Sequence, residues 1–234
     1  MIGVCIPAHN EACSIGRCLT SVMRAAHHAS LGDETVHIVV VLDACTDGTL
    51  AQASQWPVTC LTVHCRNVGL ARTAGARYLL DAGARWLAFT DADTVVSASW
   101  LADQLSLNAS VVCGTVSIDD WSCHGPHADR ARDAFRATYQ DRDGHRHVHG
   151  ANLGIDACAY RQVGGFEALA CSEDQALVDR LEGAGVSIAW TARPRVTTSA
   201  RPFSRVNGGF ASALRQAWSA DGRVSFPDVP PNLS

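Results

Sequence analysis

The chain has no lysine, and all 19 of its basic residues are arginine. Schiff-base chemistry on a lysine and the lysine of a phosphate-binding P-loop are therefore excluded. None of its ten cysteines forms a CxxC pair, so a structural zinc site is not expected. No histidine follows His149. No apolar run approaches the length of a membrane span. The N-terminal residues lack the charged region, apolar stretch and cleavage site of an export signal. A cytoplasmic protein is the expectation. With a net charge of −4 and a pI near 6.2, the chain also lacks the basic footprint that phosphate backbones demand, so nucleic acid is not expected as a partner.

What is present is enough apolar material for a full core: 234 residues, 47% of them hydrophobic. That length suits one large domain or two small ones. The scattered cysteines are expected to be small, buried, reduced hydrophobes. Strand-like apolar runs at 2–7, 36–42, 58–63, 86–90 and 111–116 alternate with helix-period segments at 15–26, 68–80 and 97–107. Such alternation implies an α/β fold with a mostly parallel sheet and helices on both faces. The second half reads as helices at 128–139 and 172–184, a strand at 186–190, a loop at 140–146 and a polar turn at 149–154. A last amphipathic helix at 209–220 carries Phe210, Leu214 and Trp218 on one face. With no repeat or linker, a single domain over 1–234 is expected, with 1–118 as one half and 119–234 as the other.

Asp91-Ala92-Asp93 follows the strand at 86–90. Carboxylates at i and i+2 of extended chain point to the same side, and they repel unless a cation or proton lies between them. Hard oxygen donors of this kind suit Mg²⁺ or Mn²⁺. A strand-end turn rich in aspartate is the plainer alternative. Ligands of doubly wound sheets sit at the carboxyl ends of the strands, and two more polar clusters, at 9–11 and 43–47, fall at such ends.

In order, Pro7-Ala8-His9-Asn10-Glu11, Leu42-Asp43-Ala44-Cys45-Thr46-Asp47, Asn67-Val68-Gly69-Leu70-Ala71-Arg72, Asp91-Ala92-Asp93 and Glu173-Asp174 resemble a family 2 glycosyltransferase of the GT-A fold. The resemblance covers roughly residues 2–205. It implies a Rossmann-like nucleotide-binding half at 1–118 and a smaller, mixed acceptor half at 119–234. It also implies a nucleotide-diphosphate sugar donor (UDP favoured over GDP), a divalent cation, Mn²⁺ or Mg²⁺, and inversion at the anomeric carbon.

On that resemblance Pro7, Ala8, His9 and Glu11 line the nucleotide pocket, and Asp43 meets the base. For Glu11, a carboxylate favoured by a helix dipole is the alternative. Arg72 would neutralise diphosphate or else sit on a solvated helix face. Asp93 is the expected metal ligand; Asp91 would support it or contact ribose, with Ala92 between them in the donor site. Asp174 is the expected base, with Glu173 beside it, although Ser172-Glu173-Asp174-Gln175 also fits a helix capping box. Asn152, in His149-Gly150-Ala151-Asn152, would bond donor hydroxyls or serve as a turn amide. Arg201 and Arg205 would reach the diphosphate from the C-terminal segment. The family's usual C-terminal histidine ligand is missing here. His145, His147 and His149 alternate, and an ordinary charged loop is the expectation for them.

Three other readings compete. Asp91-Ala92-Asp93-Thr94 also fits a haloacid-dehalogenase pattern, but that chemistry needs a lysine. A nucleotidyltransferase would show a Gly-rich basic loop where residues 7–11 stand. A non-catalytic sugar-nucleotide-binding module would lack a base facing the donor. No acceptor pattern is decodable in 119–149, and a peripheral contact with the inner membrane face through the last helix is the alternative to its packing on the core.

Overall fold

The computed structural model describes residues 1–201. In chain order the elements are β1 (Ile2–Ala8), α1 (Ile15–Ala26), β2 (Val36–Asp43), α2 (Thr49–Ala53), β3 (Thr59–Val63), α3 (Val68–Asp81), β4 (Trp86–Phe89), β5 (Val95–Val96), α4 (Trp100–Ser106), β6 (Val111–Gly114), α5 (Ala128–Thr138), β7 (Leu153–Asp156), α6 (Ala157–Gln162), α7 (Glu173–Gly183), β8 (Ile188–Thr191) and β9 (Val196–Thr197). The chain divides into two compact units. One is Met1–Asp120 with Gln140–Ser199; the other is Trp121–Tyr139 with the segment starting at Ala200.

The first unit is built on a seven-stranded sheet in the order β3-β2-β1-β4-β7-β6-β8. All its strands run one way except β7, which is antiparallel to both neighbours. Side chains alternate between the faces. Cys5, Val39, Val41, Leu87, Phe89, Leu153 and Ile155 share one face, covered by Ala71, Ala76 and Leu79 of α3 and by Leu177, Val178 and Leu181 of α7. On the opposite face Trp86 donates its indole N–H to Gln104 of α4 at 3.0 Å, and α4 contacts α1. The buried stripe of α1 is Ile15, Cys18, Leu19, Val22 and Ala25; a face of Ile15, Cys18, Leu19, Val22, Met23 and Ala26 is what the sequence suggests, and Met23 and Ala26 are only half-buried.

The second unit, by itself, is α5 with an aromatic cluster. Trp121 lies 5.6 Å from both His124 and Phe135, and Phe135 stacks on Tyr139 at 4.5 Å.

Several expectations need correction. Ser172 makes no capping bond and sits in the left-handed region at φ 59°, so the capping box does not form. The polar turn at 149–154 ends in β7, which the sequence reading missed together with α2 and α6. Only Cys5, Cys18 and Cys113 are buried, while Cys13, Cys65, Cys123 and Cys158 are exposed. Burial pushes the thiols of Cys5 and Cys113 up to about 12. Arg205 and the expected helix at 209–220 lie outside the described residues.

Candidate active site

Because β1, β2 and β4 are parallel, Ala8, Asp43 and Asp91 emerge at one edge of the sheet. The reversed strand β7 pairs Leu153 with Phe89, so the residues just before it, His149 to Asn152, reach that same edge. Four of the five non-glycine residues with positive φ among the described residues gather there: Asn10 after β1, Ala44 after β2, Arg66 after β3, and Ser172 just before α7; the fifth, Asn108, precedes β6. Such conformations cost about 1–3 kcal/mol each and persist where surroundings over-determine them, commonly at functional sites.

The cluster at the ends of β1 and β2 is closely bonded. Asp43 is buried; its Oδ1 accepts the backbone N–H groups of Cys65 and Arg66 at 2.7 and 2.8 Å, and its Oδ2 that of Asn67 at 2.9 Å. Three of about four acceptor positions are thereby taken, which leaves one for a ligand. His9 lies next to it, with Nδ1 2.6 Å from the Asp43 carbonyl oxygen. Glu11 is buried, and its backbone N–H donates to Thr49 Oγ1 at 2.7 Å. Asp47 accepts from the backbone N–H groups of Ala12 and Thr49 at 3.1 and 3.0 Å, as aspartates commonly do in turns.

Arg72 occupies the centre. Its side chain is neither solvated nor open to a diphosphate, because the residue is only 3% exposed. Nη2 pairs with Asp91 Oδ1 at 2.7 Å, Nη1 pairs with Glu173 Oε1, and the guanidinium lies 5.6 Å from the centre of the Phe166 ring. Burial works against the Arg72 charge, but Asp91, Glu173 and Asp174 outweigh it and hold the group firmly protonated. Burial likewise pushes the Glu173 carboxyl up, Arg72 opposes that, and Asp174 and Asp91 add to it.

Asp174 is differently placed. It is half-buried; Oδ2 accepts the Gly150 N–H at 2.8 Å and Oδ1 the Gln175 N–H at 2.8 Å. One acceptor position remains on each oxygen. Gly150 was not singled out from the sequence, although it stands in the stretch that drew attention to Asn152.

Asn152 is fully buried. Its Nδ2 donates to the carbonyls of Thr115 and Pro194 at 2.7 and 2.9 Å, and its Oδ1 accepts from Trp100 Nε1 at 2.9 Å. Both its donors are spent within the protein, so the amide is a structural tie and has no N–H to offer a sugar hydroxyl. His145, His147 and His149 form a column with ring centres 5.6 and 6.1 Å apart. Burial, then His147 and His145, push the His149 imidazole down to about 3, against the pull of Asp91.

Asp91 and Asp93 are half-buried around buried Ala92, and the Asp91 carbonyl accepts from the Cys18 thiol at 3.4 Å. Among the described residues, no three or more His, Cys, Asp or Glu are grouped to hold a metal. Pro7 is half-exposed near the end of β1, with Ala8 after it buried, and Arg201 is half-exposed in the second unit.

The sequence model described as Glycosyl transferase family 2 matches residues 3–161. The chain belongs to that family. The fold agrees with this membership. The Pyrobaculum calidifontis mannosyltransferase PcManGT, in complex with GDP-Man and Mn²⁺, superposes with a TM-score of 0.64 at 18% identity, over 93% of this chain and 60% of that one. S. aureus TarS 1-349 in complex with UDP-GlcNAc gives 0.63 at 14% identity, over 89% of this chain and 61% of that one. The same protein in complex with UDP gives 0.60 at 15% identity, over 85% and 61%. This family 2 chain thus spans about three-fifths of the length of the solved structures it matches, and it shares with them the GT-A fold. A search of curated proteins finds no match. Among the described residues no helix is long and apolar enough to cross a membrane.

Proposed function

We propose that this family 2 chain transfers a sugar from a nucleotide-diphosphate donor to an acceptor hydroxyl, with inversion at the anomeric carbon and with help from a divalent cation. The observation that carries the reading is the pair of ion pairs on Arg72. They bring Asp91-Ala92-Asp93, on the donor side, together with Glu173-Asp174, at the start of α7.

Of the two acids, Glu173 is buried and paired, which leaves Asp174 to act as base. As the acceptor oxygen bonds to the anomeric carbon, its proton passes to Asp174, and the bond from that carbon to the diphosphate oxygen breaks. Pro7, Ala8, His9, Glu11 and the remaining acceptor position of Asp43 would form the nucleotide wall.

The donor set fits a hard cation of the Mg²⁺ or Mn²⁺ type. Such ions are commonly held by one or two carboxylates, with substrate phosphates and water completing the shell. Asp93 would be the principal ligand and Asp91, half-committed to Arg72, the secondary one. Once bound, the cation would stabilise the charge that develops on the leaving diphosphate. UDP-GlcNAc and GDP-Man, the donors present in the TarS and PcManGT structures, are the natural candidates, and a UDP-sugar is the proposed choice.

A thermal-shift screen of UDP- and GDP-sugars, each with Mn²⁺ or with a chelator, tests the reading. One nucleotide class is expected to raise the melting temperature in Mn²⁺ alone, as mass action on a native-state site requires. No stabilisation by any nucleotide sugar would overturn it.

A further inference from the structure

Gly150 touches two parts of the site at once. Its backbone N–H holds Asp174 Oδ2, and a methyl group on its Cα would overlap Cζ, Nη1 and Nη2 of Arg72. The need for glycine here is spatial, because its φ lies outside the positive region. The guanidinium cannot retreat freely, since Asp91 and Glu173 hold its two Nη atoms and Phe166 lies alongside.

We propose that Gly150 and Arg72 act as one positioning device that aims the Asp174 carboxylate, a role resting on Asp174 being the base. A side chain at 150 must push the guanidinium aside or pull its own N–H away. The first displaces Glu173, the residue adjoining Asp174, and loosens the weaker, more exposed tie to Asp91. The second releases Asp174 Oδ2 and leaves only the Gln175 N–H on Oδ1. Both routes re-aim the carboxylate without touching the nucleotide wall at β1 and β2. The effect therefore falls on the chemical step, where a misplacement of about 1 Å costs about 100-fold.

The test is a double-mutant cycle of wild type, Gly150→Ala, Arg72→Lys and the double variant. Arg72→Lys keeps the charge but replaces the planar fork by a slimmer ammonium. The rate is read as nucleotide release from UDP-GlcNAc or GDP-Man with Mn²⁺, affinity by calorimetry with UDP and Mn²⁺, and stability by melting temperature. Gly150→Ala is expected to lower kcat about 10- to 100-fold, while UDP affinity with Mn²⁺ falls no more than about threefold, the share that passes through Asp91. In the Arg72→Lys background, where room has been restored, the same change is expected to cost less than about threefold.

An unchanged kcat, an equal loss in both backgrounds, or a matching loss of UDP affinity would overturn the proposal. Should Gly150→Ala fail to fold, the double variant is expected to fold, and an equally unfolded double variant overturns the coupling. Failure of the underlying reading looks different. Asp174→Asn would then keep full turnover, while the melting temperatures of the cycle still report the coupling of 150 with 72.

Discussion

Asp91 and Glu173 share one counter-ion, the buried guanidinium of Arg72, with 2.7 Å separating Asp91 Oδ1 from Nη2. Their ties to it differ in kind. The Asp91 side chain is 35% exposed and Glu173 only 7%, so water can replace the cation at the first and not at the second. The motif at β4 and the start of α7 therefore behave as one electrostatic unit, and on the proposed function substitutions in it are expected to separate binding from chemistry.

Replacing Asp93 by Ala is expected to abolish the Mn²⁺-dependent part of UDP binding. Asp91→Asn should weaken it by less, because that oxygen is already half-committed to Arg72. Calorimetry with UDP, with and without Mn²⁺, checks both; equal losses would remove the division between the two aspartates.

Asp174→Asn is expected to leave donor affinity within about twofold and lower turnover by about 100- to 10,000-fold, the usual contribution of a positioned base. Single-turnover transfer, or nucleotide release where no acceptor is in hand, reads the change. Retained turnover would take Asp174 out of the chemistry.

Asn152→Ala is expected to cost about 2–4 kcal/mol of stability, since it strands two buried carbonyls and the Trp100 indole N–H. Denaturant unfolding measures the loss. The donor KM of the surviving folded protein should stay near wild type; a selective rise in KM would restore Asn152 to the donor site.

His149 gives a pH signature. Its folded pKa, about 3, lies below its unfolded value of about 6.5. The unfolded chain therefore takes up the proton first on acidification. This component of stability is complete above about pH 6.5 and is lost as pH falls from there toward 3. His149→Gln should flatten that slope relative to wild type, measured by urea unfolding at a series of pH values. Parallel slopes would mean the imidazole is protonated in the folded state too.

Most of the parallel half of the fold was legible, because its strands announce themselves by apolar runs and α1 and α3 by their helical period, whereas the five-residue α2 is too short to show one. Residues 15–26, 36–42 and 68–80 fall almost on the elements observed. β7 and α6 were not legible. They total ten residues over Leu153–Asp156 and Ala157–Gln162, too short for a period to stand out from the polar turn before them. The positions of the strand-end polar residues followed from the strands, whereas their bonding did not. The partners of Arg72 lie 19 and 101 residues away in sequence, and those of Asn152 lie 37 to 52 residues away. A local reading offers such side chains to a ligand because it cannot see the distant groups that claim them first. Ser172 is a further case: its sequence suits a cap, but its backbone takes a positive φ of 59°.

The three amides on Asp43 bear on recognition rates. They fasten the 65–67 segment, so on the proposed function that wall would be ordered before any nucleotide arrives, its ordering entropy already spent in folding. Association along that side should proceed like docking to a rigid surface, at rates set by encounter and orientation. Removing the Asp43 carboxylate would turn the same encounter into one that waits for the segment to settle, with a slower onset and a larger entropic penalty.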